Sequence, residues 1–277
     1  MDVFYRIGAV IALTLRESLA KKTFIAFFAL STFLHLFFLL ALSLDVLEGS
    51  QAMINIFGMN VDETVDVHKL VVTVEAGISV VGFVMGVFLA IFATANLMPT
   101  MLEKGSIELL ISKPLTRNQL LLGRYVGALS IMILNVVYLI GGNWLIFSIK
   151  SGFWHFAYLS TIPLIIIAFA LMYTLMTFVA VTTRSTGVTM MVAYMALLFS
   201  PMLAEKDRVY ALLTSKFYDH LLAGLYHALP KTYDLILLNM AIVREQSVTN
   251  WSALWSSCLA GVLTLALAMY VFARKDF

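Results

Sequence analysis

The stretch EKGSIELLISKPLTRNQLLLGRYVG, Glu103 to Gly127, interrupts a chain that is otherwise almost free of charge. Glu103, Lys104, Glu108, Lys113, Arg117 and Arg124 fall within it, between long runs of Phe, Leu, Ile, Val and Ala. Ser106 to Ser112 has the pattern of a short amphipathic helix, with Ile107, Leu110 and Ile111 on one side and Glu108 on the other. Pro114 stops it, and Thr116 with Gln119 forms a T-x-x-Q capping box that starts the next helix. An ordinary polar turn needs only a few residues and no apolar face. The pattern therefore predicts a compact helical element held between two long helices.

The flanks decide what those helices are. Of 277 residues, 61% are hydrophobic and 12% charged, and the mean hydropathy is +0.95. Soluble domains carry about 25% charged residues, and no soluble core absorbs such an excess of apolar side chains. The chain reads as an all-α integral membrane protein with a single transmembrane domain. Six segments approach the roughly 20 apolar residues that cross a hydrocarbon core of about 30 Å: 24–44, 76–97, 120–149, 161–182, 187–203 and 251–272. Residues 1–23 form an interfacial helix, with Phe4, Ile7, Ile11, Leu15 and Leu19 on one face and Arg6, Arg16, Glu17 and Lys21 on the other. Residues 98–119 connect the second and third spans. Residues 204–250 read as short interfacial or re-entrant helices broken at Pro230, tolerable at membrane depth only when packed against protein.

Lys and Arg set the direction. They gather before the first span, in the opening stretch, at Arg184 and at Arg274–Lys275, whereas the segment from Asp45 to Glu75 is acidic. That asymmetry places both termini on the cytoplasmic side of an inner (cytoplasmic) membrane.

Several activities are excluded by motif. The net charge of +2 is too small and scattered for nucleic acid. No G-x-x-x-x-G-K-[ST] is present to cradle a nucleotide, and neither H-E-x-x-H nor G-x-S-x-G occurs. We read no catalytic, cofactor-binding or metal-ligating residue in the chain. His220 and His227 are too few for a metal site, and Met190, Met191 and Met195 serve as apolar filler. Within the spans, His35, Asn135 and Asn143 are the candidate polar groups of a pathway, although a lone His35 equally reads as a bond to a neighbouring helix. Gly82 and Gly86 form a G-x-x-x-G predicted to pack closely against a helix of this chain or of another subunit, and Gly123 and Gly127 repeat the spacing.

The opening stretch resembles the permeases of type-2 ABC exporters. Their pattern stands here as Glu103, Gly105-Ser106, Glu108-Leu109-Leu110, Pro114, Thr116-Arg117 and Gly123-Arg124. The interfacial helix, the six spans and the Arg274-Lys275-Asp276 tail are similar too, and the nearest branch looks like the permeases that serve maturation of multicopper enzymes such as nitrous-oxide reductase. The resemblance implies that Ser106–Ser112 is a coupling helix docked in a groove of a separate cytoplasmic ABC ATPase. Glu103, Gly105, Ser106, Ile107, Glu108, Leu110, Ile111, Pro114 and Arg117 would carry the coupling. It implies ATP and Mg on that partner, none on this chain, and a second permease copy, a homodimer in the simplest case. Met101-Leu102 departs from the more acidic residues of related sequences. A mechanical or anchoring subunit acting on an extracytoplasmic partner, and an intramembrane enzyme, are the alternative readings.

The topology is directly testable. In a Cys258→Ser background, single cysteines at Ser50 and Ser185 are expected to differ, an impermeant thiol reagent outside intact cells labelling position 50 alone. Labelling of position 185 from outside would reverse the orientation.

Overall fold

The computed structural model describes residues 3–20, 22–46, 51–56, 59–111, 115–205, 224–248 and 250–275. The described residues are helical except for one small sheet. In order they form α1 (Val3–Leu19), α2 (Lys22–Ala41), strands β1 (Leu42–Val46), β2 (Gln51–Ile56) and β3 (Met59–Asp66), then α3 (Val67–Thr94), α4 (Leu97–Met101), α5 (Ser106–Ile111) and α6 (Arg117–Ser151). A 3-10 turn (Phe156–Ser160) leads into α7 (Thr161–Thr183), followed by α8 (Thr186–Ala204), α9 (Thr232–Val243) and α10 (Ser252–Arg274). Among the described residues, five helical segments are long and apolar enough to cross a membrane, or six when the bent pair α1–α2 is counted. The 20 residues of α2 alone reach about 30 Å at 1.5 Å per residue.

At the centre stands α7. Its sequence TIPLIIIAFALMYTLMTFVAVTT is apolar all round, as a helix enclosed by others should be. It packs against α3, α6, α8, α9 and α10. Phe169 and Tyr173 stack within it, and Tyr125 of α6 stacks on Tyr173 at 5.4 Å while donating its hydroxyl to the Ala170 carbonyl. The outer helices instead turn large side chains outward: Trp255, Leu259, Val262 and Leu263 of α10 are exposed. In water such a surface would drive aggregation; in a bilayer it faces lipid.

Two expected boundaries move. An antiparallel sheet in the order β1-β2-β3 occupies the last residues of the predicted first span, from Leu42, and the segment to Asp66 read from sequence as part of an acidic loop. Leu42 pairs with Ile56 and Gln51 with Asp66, so α2 leaves one end of the sheet and α3 begins at the other. That geometry starts α3 at Val67, nine residues before the predicted span, and Asp66 caps it by accepting from the Lys69 amide. Residues 206–223, within the segment 204–250 predicted to hold short helices, lie outside the described residues, as does His220. The helix after Pro230 is present as α9.

Gly82 and Gly86 were expected to hold backbones close. In this chain a Cβ on Gly82 would meet only Ile140 at 3.9 Å, and one on Gly86 would meet nothing within 4 Å. The close approaches lie elsewhere. A Cβ on Gly123 would stand 2.7 Å from Val10, and one on Gly127 2.6 Å from Thr14. Helix α1 is thus clasped on α6, its buried side being Val10, Thr14 and Ser18 rather than the predicted stripe, which leaves Leu19 exposed. Short side chains opposite glycine allow the backbones to approach, and their contact outweighs the pull of larger residues toward lipid.

Gly123→Leu and Gly127→Leu should each cost about 1–3 kcal/mol through overpacking, read as a lower Tm in detergent, whereas Gly86→Leu should leave Tm unchanged. Equal losses at all three positions would place a packed face at Gly86.

Candidate functional site

The connector between α3 and α6 is built on buried anchors. Leu97, Met98 and Met101 of α4 and the following Leu102 are all buried. The departure at Met101-Leu102 therefore has a local cause: these side chains fix the connector to the core. The Ser106 and Ile107 amides both donate to the Glu103 carbonyl at 3.0 Å, which opens α5. Glu103, Lys104, Gly105 and Glu108 are exposed, and the side chains of Leu110 and Ile111, with Ser112, Lys113 and Pro114, lie outside the described ones. The capping box forms as expected, Thr116 accepting from the Gln119 amide and Gln119 from the Thr116 amide.

Two connector residues are placed differently from expectation. Ile107 is 1% exposed and belongs to the chain's own core. A six-residue helix is too short to persist alone, and its first apolar side chain holds it down. Arg117, expected among the coupling residues, is engaged within the chain. Its Nη1 donates to the carbonyls of Ala273, at 3.2 Å, and Lys275. The last carbonyls of α10 have no partner within the helix and favour a cation. Lys275 acts likewise on α7, its Nζ donating to Val181 and Thr182 at 2.6 and 3.0 Å. Partial burial, and then the charge of Arg184, lower the Lys275 ammonium from its ordinary value. The start of α6 and the ends of α7 and α10 are therefore fastened together a few residues after the chain leaves α5. Behind them Arg124, also buried, pairs with Glu17 of α1 through both guanidinium nitrogens.

The opposite end carries a feature the motifs did not announce. Glu75 of α3 is 0% exposed and His155, in the link between α6 and α7, 2%. His155 Nδ1 lies 2.5 Å from Glu75 Oε2. The other nitrogen, Nε2, faces Glu245 at 3.5 Å, and Glu245 approaches His68 at 3.6 Å. The Trp144 indole donates to the His155 carbonyl and Phe153 stacks on its ring, so the imidazole is held in place. The row acid–imidazole–acid–imidazole runs from the core to the surface. In sequence Glu75 counted only toward the acidic segment; its position against the apolar run of α3 was the signal that marked it as buried. Among the described residues no group of three or more His, Cys, Asp and Glu is arranged to hold a metal ion.

Of the polar groups expected within the spans, His35 bonds through Nε2 to the Leu139 carbonyl at 3.0 Å and rests over Gly142. It is tied to its neighbouring helix. Asn135 and Asn143 border an apolar cavity of about 520 Å³ between α2, α3 and α6, which Gly82 and Gly86 also line.

Bundle, connector and apolar outer surface together define a multi-pass helical membrane protein with a rigidly mounted polar element at one end. A family model described as ABC-2 family transporter protein matches residues 9–277. The chain belongs to that family, the membrane subunits of ABC transporters. No curated protein matches it.

His155→Ala would leave the Glu75 carboxylate buried without its partner. Breaking such a pair costs about 3–5 kcal/mol, so Tm in detergent should fall clearly, while replacing both residues by leucine should recover much of the loss. An unchanged Tm for His155→Ala would show that the pair carries no stability.

Proposed function

We propose that this chain is one of two identical permease subunits of an ATP-driven exporter, and that α5 receives the motion of a separate cytoplasmic ATPase. One observation carries the reading. The exposed groups Glu103, Lys104 and Glu108 ride on a helix pinned to the core by Ile107, a few residues before the fastening of α6, α7 and α10 through Arg117 and Lys275. A force on α5 would reach three long helices at once. No phosphate-binding loop occurs in the chain, so nucleotide chemistry falls to the partner, with ATP and Mg bound there. Family membership supports the same division of labour, because ABC-2 permeases normally pair with an ATPase subunit. Both termini are then cytoplasmic, in agreement with the Lys and Arg distribution.

At such a contact, apolar anchors carry most of the affinity and rim charges set register and rate. Leu110→Asp should release the ATPase from the detergent-purified complex. Glu108→Arg should weaken the complex more at low salt than at high salt, because screening shortens with ionic strength. Full retention of the partner by a normally folded Leu110→Asp protein would overturn the coupling assignment. Stimulated ATP hydrolysis without solute movement would favour a mechanical subunit instead.

A further inference from the structure

The cavity between α2, α3 and α6 is unlike the rest of the interior. Helices α2 and α3 each pack on α6 and scarcely on each other, which leaves a groove open along its side. Its walls are hydrocarbon, with Leu30 on α2 and Val81 and Met85 on α3 exposed toward it. At Gly77 and Gly86 an added Cβ would meet nothing within 4 Å, so the α3 wall is low and the space above it vacant. The volume of about 520 Å³ falls within the roughly 300–1,000 Å³ of ligand pockets. No Lys, Arg, Asp or Glu lines it.

The floor is polar and unsatisfied. Asn143 is 0% and Asn135 9% exposed, yet neither amide atom of Asn143 nor the Asn135 Nδ2 has a well-formed hydrogen bond, the Tyr158 hydroxyl being near enough to interact with Asn143 but poorly aligned with it. Their eight-residue spacing on α6 sets them about 12 Å apart along the helix axis. In hydrocarbon no water relieves such groups, and buried amides are rarely left unpaired.

We propose that this groove binds a neutral acyl-chain amphiphile taken sideways from the bilayer. The tail lies between α2 and α3 over Gly77 and Gly86. A hydroxyl of the head region donates to the Asn143 Oδ1 or an ester carbonyl accepts from its Nδ2, and a second polar group within reach meets Asn135. Apolar walls select the chain, the two amides select a hydrogen-bonding head, and the absence of any lining charge disfavours an anionic or cationic one. The site stands independently of the ATPase reading and needs no partner subunit.

The test uses the full-length protein in phosphatidylcholine nanodiscs with a monoacylglycerol carrying a diazirine in its acyl chain. Illumination and peptide mass spectrometry should place the label on 27–38 and 74–89. Gly86→Phe, which fills the vacant space, should abolish that labelling, and Asn143→Leu, of nearly the same shape, should reduce it about tenfold. A fatty acid probe of equal length, ionised at neutral pH, should label these segments several-fold less. Labelling spread evenly over all exposed helices, or unaffected by both substitutions, would overturn the proposal. So would a groove that excludes the probe in unmodified protein while Gly86→Phe alters the oligomer size, since its occupant would then be a second copy of this chain. Unchanged Tm in both variants separates loss of the site from loss of the fold.

Discussion

The close approach of α1 to α6 is the contact on which the arrangement turns. Glycines at 123 and 127 remove the side chains that would hold the two backbones apart. With the helices in contact, Glu17 reaches the Arg124 guanidinium, a charge that could not otherwise remain buried among apolar helices. Helix α6 is 35 residues long, and its far end frames the Glu75–His155 pair while its first turn meets the C-terminal carbonyls of α10. Fixing α6 by α1 thus fixes both ends of the molecule. The usual driving force for helix association in water is absent in lipid, so fit and polar contact must do this.

Several polar groups at the ends of the bundle are answered by other protein groups: guanidinium by carbonyl, ammonium by carbonyl, imidazole by carboxylate. Asn135 and Asn143 are among the buried groups left with unanswered atoms, and they border the space between helices that do not pack together. The three-stranded sheet joins the two helices that flank this space, α2 leading into β1 at Leu42 and β3 leading into α3 at Asp66.

Much of the helical pattern was legible because length and hydropathy alone define it, and the Thr116–Gln119 box fixed the start of α6 within a residue. The family could be read from about 25 residues around Glu103. Less visible was anything that depends on which helix lies next to which. Gly82–Gly86 and Gly123–Gly127 have the same spacing, yet within this chain only the second pair brings a neighbouring helix into close approach, and sequence spacing carries no information about the facing helix. Ile107 looked like an offered anchor because the periodicity of α5 shows an apolar side without showing what covers it. Arg117 looked free because its partners are carbonyls some 155 residues away. The sheet escaped because its strands are short and mixed in polarity.

The pairing of Glu17 with Arg124 also bears on how the chain is made. The partners are 107 residues apart, and at about 5–20 residues per second a ribosome needs on the order of 5–20 s to bridge that gap. Throughout that interval α1 has left the ribosome while the helix that receives it has not. Its amphipathic character gives it somewhere to wait, at the boundary between lipid headgroups and water. Thr14 and Ser18, which later press against α6, can be hydrated there. The mixed face that weakens α1 as a membrane anchor thus serves its biogenesis, keeping the first helix at the surface until the fourth long helix of the chain arrives beneath it.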